Sequence, residues 1–256
     1  MHTREEWDDS QQMVEAERLL KDAKRVEFKL TVRDTDRASA IDALDLDVLD
    51  AELRQVAFFD TADLKLNKAG IVVRARRMKK GGDTTVKLRP VAVDALPGKL
   101  RRSSRFSIEL DAMPGTFVCS GSLTNDADND DVKAVLEGRR PLRKLLGSKQ
   151  RSFYKDHAPL GLDLDALVPF GPINTARLKF VPRKFKGRAA TAELWFYPDG
   201  ARLLEISAKC EPHEAFQVLA EARAMLEHHG ITRQGTQETK TRKTLDYFSR
   251  LYARAS

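Results

Sequence analysis

Residues 25–33 read Arg25-Val26-Glu27-Phe28-Lys29-Leu30-Thr31-Val32-Arg33. Side chains of a β-strand alternate between its two faces. Val26, Phe28, Leu30 and Val32 therefore share one face, and Arg25, Glu27, Lys29, Thr31 and Arg33 share the other. The stretch predicts a strand that is apolar on one side and ionic on the other.

The same division recurs along the chain. Val86 and Leu88 oppose Thr85, Lys87 and Arg89. Phe106, Ile108 and Leu110 oppose Arg105, Ser107, Glu109 and Asp111. Ala176, Leu178 and Phe180 oppose Thr175, Arg177 and Lys179, and Leu204, Ile206 and Ala208 oppose Glu205, Ser207 and Lys209. Strand patterns are read over residues 24–33, 52–60, 70–78, 83–90, 104–111, 173–182, 190–197 and 202–210. Gly81-Gly82-Asp83 marks a hairpin turn, and Pro97-Gly98 and Pro114-Gly115 mark further turns.

A solvated antiparallel sheet would also alternate in this way. Here, however, the ionic face carries Arg and Lys at strand centres, where a wetted face mixes in more Thr, Ser and Gln. The acids gather on the first, fifth and eighth strands. Closing the sheet with this face inward gives a cation-rich lumen with an acidic patch. Burying so many like charges without counter-charge is very costly, so such a lumen must be wet and must take an anion. Arg and Lys bind phosphoryl oxygens through charge-assisted hydrogen bonds. Carboxylates beside phosphates suit Mg²⁺ or Mn²⁺, which keep waters, one or two carboxylates and the ligand's own oxygens.

Helices are expected at the flanks. Residues 4–23 read as a charged helix, 131–157 as a basic helical segment, and 239–253 as a final helix. Residues 212–229 form an amphipathic helix with Pro212 near its start and Gly230 just past its end. Asn125–Asp131 reads as an acidic loop. The expected organisation is an N-terminal helical extension over 1–23 and one barrel domain over 24–256, with a helical insertion at about 125–160.

Composition narrows the partners. The chain has 256 residues, 41% hydrophobic and 32% charged, with a formal net charge of +7. That balance favours an anionic partner without naming it. No apolar run is long enough to span a membrane, and MHTREEWDDSQQ lacks the pattern of a signal peptide. Two cysteines, Cys119 and Cys210, make no disulfide framework, so a reducing, cytoplasmic setting is expected. No Walker-type phosphate loop, zinc-binding spacing or nucleophile–base set is present. Nucleic acid is disfavoured: the basic run 139–151 has only Phe153 and Tyr154 nearby for stacking.

Four segments taken together carry a resemblance. Glu27-Phe28-Lys29, Phe58-Phe59-Asp60-Thr61, Gly70-Ile71-Val72-Val73-Arg74-Ala75-Arg76 and Val86-Lys87-Leu88-Arg89, in that order, resemble the CYTH superfamily of triphosphate tunnel metalloenzymes. The resemblance runs from about residue 24 to about residue 245. It implies an α+β fold built on an eight-stranded antiparallel β-barrel, a divalent metal and a triphosphate-bearing small molecule as ligand. Lys29, Arg74, Arg76, Lys87 and Arg89 would contact phosphates, with Arg105, Arg177, Lys209 and Lys240 as further candidates. Glu27 and Glu205 would hold Mg²⁺ or Mn²⁺, with Glu109 and Asp111 as additional acids. Glu27, Lys29 and Glu205 would then carry the chemistry. The family's first strand typically reads Glu-x-Glu-x-Lys, whereas here Arg25 precedes Glu27. The late strand often carries Glu-x-Glu, whereas here Ser207 follows Glu205. The implied activity is metal-dependent triphosphate hydrolysis. A class IV adenylyl cyclase and a non-catalytic polyphosphate or nucleotide binder are the alternatives.

Overall fold

The structure is a computed structural model and describes residues 18–113, 116–231 and 239–255. Nine strands form one closed barrel: β1 (Arg25–Val32), β2 (Glu52–Asp60), β3 (Ile71–Met78), β4 (Gly82–Leu88), β5 (Phe106–Met113), β6 (Thr116–Ala127), β7 (Val168–Phe180), β8 (Ala190–Phe196) and β9 (Arg202–Cys210). Round the barrel they run β1-β5-β6-β4-β3-β2-β7-β8-β9, and β9 pairs back with β1. All pairings are antiparallel except that of β1 with β5, which is parallel. The α+β barrel with flanking helices is as expected. The count is corrected from eight antiparallel strands to nine in a mixed sheet.

The strand absent from the sequence reading is β6. Its inward positions are Ser120, Ser122 and Thr124, which carry hydroxyls instead of charges. Gly121 sits where a Cβ would come within 2.8 Å of the Phe106 ring, so the tip of that β5 side chain packs against bare backbone. The predicted acidic loop 125–131 divides between the end of β6 and the start of a helix.

Beyond the helical residues 18–22, seven α-helices are described: α1 (Arg37–Ala43), α2 (Lys65–Lys68), α3 (Gly98–Arg101), α4 (Asn129–Leu136), α5 (Ser148–His157), α6 (Ala215–His228) and α7 (Lys240–Ala255). The single helix expected over 131–157 is two helices, because Gly138 takes a positive φ of 71° and Pro141 follows. The Asp128 carboxylate caps α4 by accepting from the amides of Asp130 and Asp131. Residues 18–22 are helical, while the rest of the predicted 4–23 helix and the Pro114-Gly115 turn lie outside the described residues. No helix among the described residues is long and apolar enough to cross a membrane. Cys119 and Cys210 are both free and buried.

Three apolar clusters hold the barrel. The outer faces of β3 to β6 pack under α4 and α5, with Val86, Phe106, Leu123 and Phe153 at the centre. The outer faces of β1, β8 and β9 pack under α1 and α6. The third cluster is inside. Val56 and Phe58 share the phase of Arg54 on β2, Trp195 that of Glu193 on β8, and Leu203 that of Glu205 on β9. These apolar side chains gather with Leu245 and Phe248 of α7. The interior is therefore ionic over only part of its length. The rest is an apolar plug on which the C-terminal helix sits.

Candidate functional site: a cation-lined tunnel

The FFDT segment builds one wall. Asp60 ends β2 fully buried and accepts hydrogen bonds from the amides of Thr61, Leu66 and Asn67 at 2.7–2.9 Å. Its carboxylate thereby ties the β2–β3 turn to α2. Burial pushes this carboxyl up, against the pull of its three amide donors. Gly70 then adopts a φ of 75°, and a Cβ there would lie 2.4 Å from the Arg89 carbonyl oxygen. The Arg89 amide in turn donates to Gly70 O at 2.7 Å. The glycine is what lets the end of β4 approach and turns Arg89 toward the interior.

These walls enclose a cavity of about 550 Å³. Glu27 and Lys29 of β1 line it, as do Arg74 and Arg76 of β3 and Lys87 and Arg89 on the β4 side. Glu109, Arg177, Glu205 and Lys209 line it from β5, β7 and β9, and Lys240 enters from the first residue of α7. Two expected residues stand elsewhere. Arg105 precedes β5, is about half exposed and pairs with Asp126 at 3.2 Å outside the cavity lining. Asp111 lies beneath the lining with no exposed side-chain surface.

Asp111 is the hub of the floor. Its carboxylate meets Lys29 Nζ at 2.5 Å, Lys87 Nζ at 2.9 Å and Arg89 Nε at 3.8 Å, and it accepts the Ser120 hydroxyl at 3.2 Å. Burial alone would raise its pKa, but these three cations hold it far below the carboxylate range. Lys29 also lies 2.9 Å from Glu27. Desolvation works against the Lys29 ammonium, and Glu27, Asp111 and Glu205 more than reverse that, keeping it charged. Glu27 is likewise held below its ordinary value by Lys29, Lys209 and Lys240 despite its burial.

The remaining acids are also paired. Lys209 reaches Glu109 at 2.6 Å and Glu27 at 3.9 Å. Lys240 bridges Glu193 and Glu205, the latter at 2.9 Å, and Arg177 stands 3.6 Å from Glu193. Burial would raise Glu193, but Lys240, Arg74 and Arg177 bring it down to about 2. Arg76 is clasped by Asp83.

Arg74 differs from all of these. Among the described residues its guanidinium has no carboxylate within ion-pair reach. It donates to the Thr85 hydroxyl at 3.2 Å, and its Nε is buried without a partner. Burial, with Arg76 beside it, pushes its pKa down to about 10. A desolvated, underpaired guanidinium lining a cavity is chemically suited to an anion.

The oxygen donors also fit a hard cation. One carboxylate oxygen from each of Glu27, Glu109 and Asp111 lies within 4.8 Å of the others, and all-oxygen sets suit Mg²⁺ or Mn²⁺. Glu27 and Glu109 line the cavity and share Lys209, while Asp111 lies beneath the lining on Lys29 and Lys87. Glu205 is not in this group.

Sequence reading missed Arg54, which lines the cavity in phase with Val56 and Phe58 and pairs with Glu52. It also missed the hydroxyl wall of Thr85, Ser122 and Thr124, and Thr239, Thr241 and Arg242 beside Lys240. The ELRQVAFFD alternation carries the signal for Arg54; the hydroxyls carry none.

No family model matches the sequence, and no curated protein matches it. Solved structures do. A Bacillus halodurans protein named as a candidate adenylate cyclase matches with a TM-score of 0.60 at 16% identity, over 86% of this chain and 97% of that one. HpAC1 of Hippeastrum, a candidate adenylyl cyclase with a dominant triphosphatase activity, matches with a TM-score of 0.57 at 18% identity, over 84% of this chain and 92% of that one. The barrel of this chain thus shares its fold with these two proteins.

Proposed function

We propose that the tunnel binds a triphosphate compound and hydrolyses it with the help of a divalent ion. The observation that carries this reading is Arg74, whose guanidinium sits in a 550 Å³ ionic cavity without a carboxylate of its own among the described residues. A phosphoryl oxygen supplies the missing partner. Arg76, Lys87, Arg89 and Arg177 stand round it to take the other phosphates, and Lys29, Lys209 and Lys240 extend the cationic bed.

Hydrolysis needs little covalent chemistry from the protein. A water oxygen bonds to the terminal phosphorus, the bridging P–O bond breaks, the departing phosphate chain takes the electron pair, and a proton leaves to solvent. Catalysis is then positioning plus stabilisation of charge on the phosphoryl oxygens. Glu27 and Glu109 would hold Mg²⁺ or Mn²⁺, which supplies charge neutralisation and water activation when bound. Lys29, fixed from below by Asp111, is placed to meet charge developing on the transferred group. Glu205, on β9 beside the strand of Lys29, keeps Lys240 charged and in place. Positioning in a closed barrel also limits water to the attacking molecule.

The second reading is a tunnel that binds without turning over. Its support is that Arg25 and Ser207 stand where two carboxylates were expected and that the remaining acids are already closed by lysines or arginines. One assay separates the two. Incubation with tripolyphosphate, ATP or thiamine triphosphate plus Mg²⁺ or Mn²⁺ should release orthophosphate. Micromolar binding without turnover supports the binder, cyclic AMP with pyrophosphate a cyclase, and neither binding nor turnover rejects the tunnel as a triphosphate site.

A further inference from the structure

The acids of the tunnel fall into two pairs, one on β1 and β5 and one on β8 and β9, and each pair holds a lysine. Glu27 and Glu109 share Lys209. Glu193 and Glu205 share Lys240. Glu193 and Glu205 are direct Cα partners on β8 and β9, so their carboxylates face the same space. Two ionised carboxylates side by side in a cavity repel unless a cation lies between them or one takes a proton. The two lysines that meet this need are held in different ways.

Lys209 is loosely held. Its side chain is 45% exposed and leaves β9 near the strand's end. An exposed ion pair of this kind is worth at most about 1 kcal/mol, and a lysine stem turns readily to let another cation in. Lys240 is built in. It is the first residue of α7, and its side chain is only 20% exposed. Its ammonium also lies 5.7 Å from the centre of the Trp195 ring, a cation–π contact that strengthens on desolvation. The Thr244 hydroxyl donates to Lys240 O at 2.8 Å and meets the Tyr197 hydroxyl at 3.3 Å, which fixes the start of the helix. Moving Lys240 aside would disturb α7 on its apolar plug.

We infer that Lys240 is a covalent stand-in for a metal ion: it permanently occupies the Glu193–Glu205 acid pair, so this tunnel takes one divalent ion, at Glu27 and Glu109, and no second. This rests on the metal–triphosphate reading of the same cavity. The substrate would meet one exchangeable cation and one that never leaves. Ion dependence should therefore be simple, with a single binding step.

The test counts ions on the full-length chain with Mn²⁺ alone as the probe, at neutral pH, from the electron paramagnetic resonance signal of free Mn²⁺. One ion per chain is expected. Glu109→Gln should weaken it at least tenfold, whereas Glu193→Gln and Glu205→Gln should leave count and affinity within twofold. Lys240→Met should bind two, provided circular dichroism shows it folded; a folded variant still at one ion overturns the inference. If that variant does not fold, the two Gln variants decide. Two ions on the unaltered chain, or loss of the ion in Glu193→Gln, also overturn it. Zero ions overturn both this inference and the metal in the proposed function. Triphosphate binding is then judged separately, by the thermal shift that tripolyphosphate produces.

Discussion

Lys29 Nζ lies 2.5 Å from Oδ1 of Asp111, and that carboxylate has no exposed side-chain surface. Asp111 serves as the buried counter-charge for Lys29, Lys87 and Arg89, and its carboxylate also lies beside those of Glu27 and Glu109. Removing one partner of a buried ion pair strands the others, at a cost of about 3–5 kcal/mol. Asp111→Asn should therefore lower stability by roughly that amount in urea denaturation. An unchanged midpoint would mean that water already compensates the lysines.

Arg74 should behave in the opposite sense. Its charge is desolvated, next to Arg76, and without a carboxylate among the described residues. Its pKa is pushed down to about 10, so folding disfavours its protonated form at neutral pH. Arg74→Met should keep the stem's packing, remove that penalty and raise the melting temperature of the ligand-free chain. The same variant should lose at least tenfold in affinity for tripolyphosphate, about the 1.5–3 kcal/mol of one hydrogen bond to a charged group. Calorimetric melting with and without tripolyphosphate reads both effects. A variant that is less stable and still binds would place Arg74 in the scaffold instead of the site.

The barrel was legible where a charge stands at every second position. Lys29, Arg74, Arg76, Lys87 and Arg89 announced both a strand and its inward face, since few other arrangements collect so many cations. β6 was hidden because its inward residues, Ser120, Ser122 and Thr124, look like loop residues, and because Gly121 makes room for Phe106 by lacking a side chain. Which acid meets which cation was also hidden. Lys87 reaches Asp111 across the intervening β6, a contact set by the stagger of the barrel. Glu193 stands alone among apolar neighbours in Ala192-Glu193-Leu194-Trp195, so nothing in the sequence pattern marked its pairing with Lys240. The apolar plug was missed for a related reason. Val56 and Phe58 alternate like any core strand, and only α7 explains why they point inward.

Acid should unfold the chain through these same pairs. Glu193 falls from 4.5 to about 2 on folding, and Glu27 and Asp111 are lowered as well. A carboxyl with a depressed folded pKa binds fewer protons folded than unfolded, so its stabilisation is complete above its ordinary pKa and is lost as pH falls through the folded one. Stability measured by urea should be level near neutrality and decline as pH drops below about 4.5 toward 2. Glu193→Gln should make that decline shallower. A stability rising on acidification would contradict the pairing of these acids.

Gly70→Ala tests how the FFDT turn shapes the site at a distance from the phosphates. The new methyl would lie 2.4 Å from the Arg89 carbonyl oxygen, and φ at this position is 75°. Neither the backbone nor the contact tolerates a side chain: a non-glycine residue in the left-handed region costs on the order of 1 kcal/mol, and overpacking adds about 1–3 kcal/mol. The strand end must then move, which breaks the Arg89 amide's bond to Gly70 O and shifts Arg89 away from Asp111. The variant should lose about 2–4 kcal/mol of stability. It should also bind tripolyphosphate more weakly than its fraction folded accounts for, as measured by calorimetry at a temperature where circular dichroism shows it native. Affinity that recovers fully once the chain is folded would show that Arg89 contributes to the floor of the tunnel without touching the ligand.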